Sequence, residues 1–265
     1  MRDIGALSEH SVRRGGGRNV FTERHFDRVA SHYTSLRQTD DEAVFQIRDR
    51  LPSGPLIGVD VGAGTGRYTE RLVKLLGGRA SVHAFDLSPA MLLVLLHDGM
   101  PGERPVACCQ AERLPIADGS VDFVTTFNAV HHFDLDGFVQ EVARVLAPGG
   151  HLFVYTRTPD QNADSIWGRA FPGFTSRENR LYDEATLRRT LQHLGTVDAR
   201  SFSFSRRATP TKLAARVRGR AYSTFALYDA DELEIALDSF LQDLGAHDEV
   251  CWQDHNTLLH VQRAG

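Results

Sequence analysis

Apolar positions along the chain change period several times, and each change marks an element. Phe26, Val29, Ala30 and Tyr33 recur at helical spacing, which predicts a helix from Phe21 to about Arg37. A second helix runs from about Asp40 to Arg50 and ends before Leu51-Pro52-Ser53-Gly54-Pro55. Leu56 to Val61 is then an apolar run of strand length that enters Gly62-Ala63-Gly64-Thr65-Gly66. Leu72, Val73, Leu75 and Leu76 restore the helical period. Ser81 to Asp86 reads as a second strand, and Ser88-Pro89 opens a helix with Ser88 as N-cap. Cys108 and Cys109 lie in a further strand. Val121 to Phe127 follows as another, and then comes an amphipathic helix with Phe138, Val139, Val142, Val145 and Leu146 on one face. Pro148-Gly149-Gly150 stops it, and His151 to Thr156 is again a strand. Strands alternating with helices in this way predict an α/β fold with a doubly wound, Rossmann-like sheet.

The C-terminal half is less regular. Residues 158–180 read as a long connection containing Trp167, Phe171 and Phe174. Asp183 caps a helix to about Leu194, Thr196 to Ser205 alternates as a strand does, and Asp248 to Val261 holds a last strand or two. Residues 206–247 intervene. Arg206, Arg207, Lys212, Arg216, Arg218 and Arg220 come with no acid among them. Asp229, Asp231, Glu232, Glu234, Asp238 and Asp243 then come with no base, on a helix whose buried stripe is Leu233, Leu237, Phe240, Leu241 and Leu244. Three readings of this insert stand open. The two charged faces pair and cap the fold, or the basic piece lines a pocket for an acidic substrate, or it faces tRNA. The chain divides into a loose polar start (1–20, with Gly15-Gly16-Gly17), a helical cover (21–55) and a main domain (56–265) that carries 206–247 as insert or lid.

The chemistry concentrates at the first glycine-rich turn. Glycine tolerates positive φ and lets a ligand press on bare backbone, and the helix that follows aims free N–H groups at the same place. Such a turn also serves simply to reverse the chain, so its neighbours must decide. The dinucleotide fingerprint needs glycine where Arg67 stands, and no Gly-Lys pair supplies a phosphate-binding P-loop. Asp60, two residues before Gly62, would repel a pyrophosphate and suits a ligand with a cationic end. Asp86 lies 24 residues past Gly62, near where a carboxylate grips ribose hydroxyls in such folds.

Composition narrows the partners. A net charge of −4 gives no general attraction to nucleic acid or to anionic membranes, and no apolar run approaches the length of a membrane span. Arg13-Arg14 is not followed by the apolar stretch that a twin-arginine leader needs. Cys108, Cys109 and Cys251 are expected to be reduced core thiols of a cytoplasmic protein, and no Cys or His spacing suggests a metal.

At this point a resemblance can be stated. Val59-Asp60-Val61-Gly62-Ala63-Gly64-Thr65-Gly66, Phe85-Asp86-Leu87-Ser88, Ala111-Glu112-Arg113-Leu114-Pro115, Asp118-Gly119-Ser120-Val121-Asp122 and Glu141 to Gly150 come in one order and spacing. Over about 56–157 the chain resembles the class I S-adenosylmethionine-dependent methyltransferases, in the branch of the ubiquinone- and menaquinone-biosynthesis enzymes. The resemblance implies a seven-stranded, mostly parallel sheet with an antiparallel last strand. It implies S-adenosylmethionine as cofactor, S-adenosylhomocysteine as product and a small-molecule methyl acceptor.

It also implies roles. Asp60 and the backbone of Gly62, Ala63, Gly64, Thr65 and Gly66 would hold the aminocarboxypropyl end, and Asp86 would accept both ribose hydroxyls. Leu87 would pack on adenine, and Gln110 would take the adenine amino group beside Ala111 and Glu112. Gln110 replaces the Asp often found there, and an amide can still accept that N–H. Asn128, next to Ala129, would offer its carbonyl to the ammonium. Tyr33 would orient the ligand and Arg37 would pair with its carboxylate. His132, and after it His131, are the candidate bases for a neutral nucleophile. Two alternatives remain. One is a fold relative using the same cofactor for carboxymethyl transfer or cyclisation, and the other is a methyltransferase acting on tRNA or protein.

Overall fold

Apolar runs too short for a helix and flanked by glycine can bury both faces only inside a parallel sheet, and that is where they lie. The computed structural model describes residues 18–97 and 105–264. In chain order it has α1 (Arg18–Leu36), α2 (Asp41–Arg50), β1 (Leu56–Val61), α3 (Arg67–Leu76), β2 (Ala80–Asp86), α4 (Pro89–His97) and β3 (Val106–Cys108). Then come β4 (Val121–Phe127), α5 (Leu135–Val145), β5 (Leu146–Thr156), three short helices α6 (Pro159–Asp164), α7 (Ile166–Ala170) and α8 (Phe174–Arg177), and α9 (Glu184–Leu191). The last elements are β6 (Val197–Ala208), α10 (Pro210–Arg218), α11 (Ala230–Leu244) and β7 (Val250–Gln262). Of the stretch 1–20 expected to be loose, 1–17 lies outside the described residues, and α1 starts at Arg18, ahead of Phe21.

The seven strands form one sheet in the order β3-β2-β1-β4-β5-β7-β6. β1 pairs in parallel with β2 and β4, and β5 with β4, while β7 runs antiparallel to both β5 and β6. The strand order reverses between β1 and β4, so the crevice beyond their carboxyl ends is the place where such sheets hold ligands. Alternate residues feed two cores. Val59, Val61, Leu152, Val154 and Leu259 face α5 and α9, while Phe123, Phe153, Tyr155 and Leu258 face α2 and α3.

Two expectations need correction. Residues 158–180 are three short helices rather than a plain connection. Thr158 and Ser165 cap α6 and α7, and Trp167, Phe171 and Phe174 pack with Phe225 and Phe240 of the insert into a core of their own. The cysteines are not core thiols: Cys108 and Cys251 are exposed and Cys109 is half-buried, with no disulfide among them. β3 is a three-residue edge strand and so has no second neighbour to cover it. Among the described residues, no helix is long and apolar enough to cross a membrane.

Candidate active site

The turn after β1 is shaped by its glycines. Gly62 has φ 71°, and a Cβ there would meet the Cβ of Ala129 at 2.5 Å, so only glycine lets the β4 loop close on it. Gly62 N and Ala63 N donate to the carbonyl of Phe85 at 2.8 and 3.0 Å, which ties the turn to the end of β2. Gly64 N donates to Asp86 Oδ2 at 2.7 Å, and Ser88 N to Asp86 Oδ1 at 2.9 Å. Asp86 is therefore fixed by two backbone N–H groups, while burial raises its pKa. Ser88 caps α4 through Met91 N, as its sequence position predicts, and its hydroxyl donates to Asp27 of α1 at 2.6 Å.

Asp60 is 1% exposed inside β1. Thr125 Oγ1 donates to its Oδ1 at 3.1 Å, and Thr69 Oγ1 donates to its Oδ2. Burial nevertheless pushes its pKa up to about 7, and neither Asp60 nor Asp86 is ion-paired among the described residues. Two carboxylates short of positive charge thus share one crevice.

A cavity occupies that crevice. Asp60, Gly62, Ala63, Gly64 and Thr65 line it on one side, and Asp86, Leu87 and Ser88 on another. Gln110, Ala111 and Glu112 close it, with Asn128, Ala129, His132 and Tyr33 at the mouth. Gly66 stands behind the lining as N-cap of α3 and packs against Leu95. Asn128 holds φ 54°, a left-handed conformation that asparagine tolerates better than most residues. Glu112 Oε1 accepts from Asp134 N at 2.7 Å, so this carboxylate also anchors the start of α5.

A second cavity adjoins the first. Phe26, Tyr33, Tyr68, Asn128 and His132 line both. Arg37 and His131 line only the second, where they meet Arg157, Arg206, Arg216 and Glu178. Phe26 stands edge-on to the His132 ring at 5.3 Å, and the rings of His131 and His132 lie 4.0 Å apart. Both Nδ1 atoms are buried with no hydrogen-bond partner among the described residues. Burial pulls His131 down to about 4 and His132 well below its ordinary value, helped by His131 and Arg180. Both rings are therefore neutral at neutral pH.

Several residues at the candidate site have no role assigned from the sequence. Arg67 reads in the sequence only as the residue that breaks a dinucleotide fingerprint. It lines the first cavity beside Tyr33 and Tyr68, and donates to the Gln38 carbonyl at 2.9 Å and to Thr39 Oγ1 at 3.0 Å. Glu141 accepts from Leu114 N at 2.6 Å, while Arg144 holds Glu141, Asp118 and the carbonyls of Leu114 and Ile116. Together they pin the loop that presents Gln110, Ala111 and Glu112. Their i, i+3 spacing was a usable signal.

A doubly wound sheet with a glycine turn and two carboxylates at its switch point is the arrangement in which such folds hold a nucleotide-like ligand. Comparison with known proteins agrees. Residues 59–154 match the family model described as a methyltransferase domain. An uncharacterized methyltransferase of Mycobacterium tuberculosis is 34% identical over 173 residues, 65% of this chain and 67% of its own length. A ubiquinone/menaquinone biosynthesis C-methyltransferase of Hahella chejuensis is 31% identical over 140 residues, 49% of this chain and 56% of its own. A solved structure from Anabaena variabilis, described as a methyltransferase from an antibiotic biosynthesis pathway, superposes with TM-score 0.69 at 22% identity. It covers 85% of this chain and 98% of that one, a likeness of fold alone. The chain belongs to the class I S-adenosylmethionine-dependent methyltransferase family.

Proposed function

We propose that the protein moves the methyl group of S-adenosylmethionine onto a small organic acceptor, with the cofactor in the first cavity and the acceptor in the second. The observation that carries this reading is the shared wall: five side chains border both cavities. In-line displacement needs two ligands meeting head-on in a space closed to water, and orientation of that kind lowers a barrier by roughly 7–11 kcal/mol.

The residues present fit the cofactor. Asp60 and Asp86 lack a cation, and the ligand brings one. Asp86 uses one site on each oxygen for backbone N–H groups, which leaves capacity for two ribose hydroxyls. Asp60, with the backbone of Gly62 to Gly66 and the Asn128 carbonyl, would hold the ammonium end. Leu87 and Met91 offer apolar surface to adenine, and Gln110, Ala111 and Glu112 would take its edge. Tyr33 would orient the ligand. Arg67, which lines the first cavity where Arg37 does not, would meet its carboxylate. Bound there, the cofactor supplies a methyl carbon made electrophilic by positive sulfur.

His132 borders both cavities and is neutral, so it is in the right form to accept a proton from an acceptor O–H or N–H. Its depressed basicity limits the gain to the lower end of the about 10²–10⁴-fold range of general bases. His131 reaches only the acceptor side.

Calorimetric titration and label transfer test the reading. S-adenosylhomocysteine should bind with one site and NAD should not. Label from methyl-labelled cofactor should appear in product. Binding without label transfer would point instead to a fold relative with other chemistry, and a tRNA affinity that falls steeply with salt would point to a macromolecular acceptor.

A further inference from the structure

The second cavity is chemically one-sided. Each of its carboxylates is already engaged. Asp40 accepts from Tyr155 Oη at 2.7 Å and pairs with Arg206. Asp254 lies 3.1 Å from Arg157 and 3.5 Å from Arg206. Glu178 is held by Arg180 and by Thr224 Oγ1 at 2.6 Å; burial pushes its pKa up, but Arg180, Thr224 and His131 together bring it below the ordinary value.

Two of its cations are not engaged. Arg37 and Arg216 have no carboxylate partner among the described residues. The Arg37 guanidinium lies 4.1 Å from the Tyr222 ring centroid and 5.8 Å from that of Tyr33. Among the described residues, its one hydrogen bond is to the Ala221 carbonyl, at 3.5 Å. The Arg216 guanidinium lies 6.0 Å from the Trp252 ring. Stacking on rings positions a guanidinium but leaves its fork of N–H donors open.

These two cations come from two different covers whose ends meet where Leu36 lies beside Gly219. Arg37 follows α1, and Arg216 belongs to α10 in the insert. The basic run of 206–220 is thus divided: Arg206 neutralises Asp40, Arg218 bridges to Glu234 of α11 at 2.9 Å, and Arg216 turns into the cavity.

Resting on the reading of the second cavity as the acceptor site, we propose that the acceptor carries a carboxylate or phosphate gripped by Arg37 and Arg216, with its nucleophile turned toward His132 and Asn128. Anion recognition by forked guanidinium donors accounts for two cations held beside aromatic rings with no ion-paired carboxylate among the described residues. It also gives the insert a role: α10 supplies half of the clamp, so the acceptor ties insert to cover.

The test uses full-length protein saturated with S-adenosylhomocysteine. It is titrated by calorimetry with benzoate and phenyl phosphate, and with benzamide and benzyl alcohol as uncharged counterparts. The anions should bind saturably and at least about tenfold more tightly than the uncharged compounds, the loss expected for one charged hydrogen bond. Whichever anion binds more tightly identifies the group the site prefers. Arg37→Gln and Arg216→Gln should each weaken anion binding by about tenfold or more and leave S-adenosylhomocysteine affinity within about twofold. Equal binding of charged and uncharged probes overturns the proposal, as does failure of both anions to bind or undiminished anion binding in either variant. Parallel loss of S-adenosylhomocysteine and anion affinity in Arg37→Gln would return Arg37 to the cofactor and also overturn it. Arg216 is partly exposed and its variant should fold. S-adenosylhomocysteine binding by the unmodified protein separately tests the methyltransferase reading.

Discussion

Asp60 makes cofactor affinity depend on pH in a direction that can be worked out. In the unliganded protein burial holds its carboxyl at about 7. A ligand bringing a positive charge into the first cavity favours the ionised form and lowers that value. Binding therefore releases a proton, and affinity is complete above pH 7 and lost below it. With a free pKa of about 7 and a much lower bound value, the apparent Kd is multiplied by about 11 at pH 6 and about 1.1 at pH 8, a tenfold difference. Calorimetry with S-adenosylhomocysteine at the two pH values measures it. Repeating the pH 6 titration in buffers of different ionisation enthalpy should show release of close to one proton. Asp60→Asn should bind more weakly at pH 8 and lose the pH dependence. The same variant should raise the melting temperature of the unliganded protein at pH 8. A folded pKa above the unfolded value of about 3.9 means that stability falls as pH rises from 4 to 7, and asparagine removes that fall. Affinity that is flat from pH 6 to 8, or that rises on acidification, would refute the argument, and a pH dependence that survives in Asp60→Asn would move it to another group.

Other outcomes follow from single contacts. Asp86→Ala should weaken S-adenosylhomocysteine binding by about 10–100-fold in calorimetry, through loss of a charged, two-oxygen acceptor. His132→Ala should reduce turnover more than cofactor affinity, whereas equal losses in kinetics and titration would make it a packing residue. Gly58→Ala should destabilise the fold by about 1–3 kcal/mol in urea melts. The added Cβ would sit 2.0 Å from the ring of buried Phe123, and Phe123→Leu in the same chain should recover part of the loss.

What could be read from the sequence was local. The run from Leu56 through Gly66, the Ser88 and Asp183 caps and the α5 stripe each lie within about a dozen residues, and each is found where its pattern placed it, except that Leu146, read as the end of the α5 stripe, is the first residue of β5, which also takes in Pro148-Gly149-Gly150. The three helices of 158–180 were hidden because four to six residues do not complete two helical turns. Their order comes from aromatic packing on an insert far along the chain. β6 runs on to Ala208, past Ser205, because it pairs with β7 from Val197–Val261 to Ala208–Val250, a register no local pattern records. α10 was masked by its basic residues, although Thr209 and Pro210 form a good start. The first cavity was legible because one βα turn and two strand ends build most of it. The second was not, since Arg37, His131, Glu178, Arg206, Arg216 and Asp254 meet only through the tertiary fold.

The placement of the cofactor is tested most directly by a crystal structure with S-adenosylhomocysteine bound. The account predicts ribose oxygens within hydrogen-bond reach of both Asp86 carboxylate oxygens, the ammonium against Asp60 and the Asn128 carbonyl, and sulfur facing the wall shared with the second cavity. A nucleoside bound elsewhere, or its sulfur turned away from His132 and Tyr33, would contradict it.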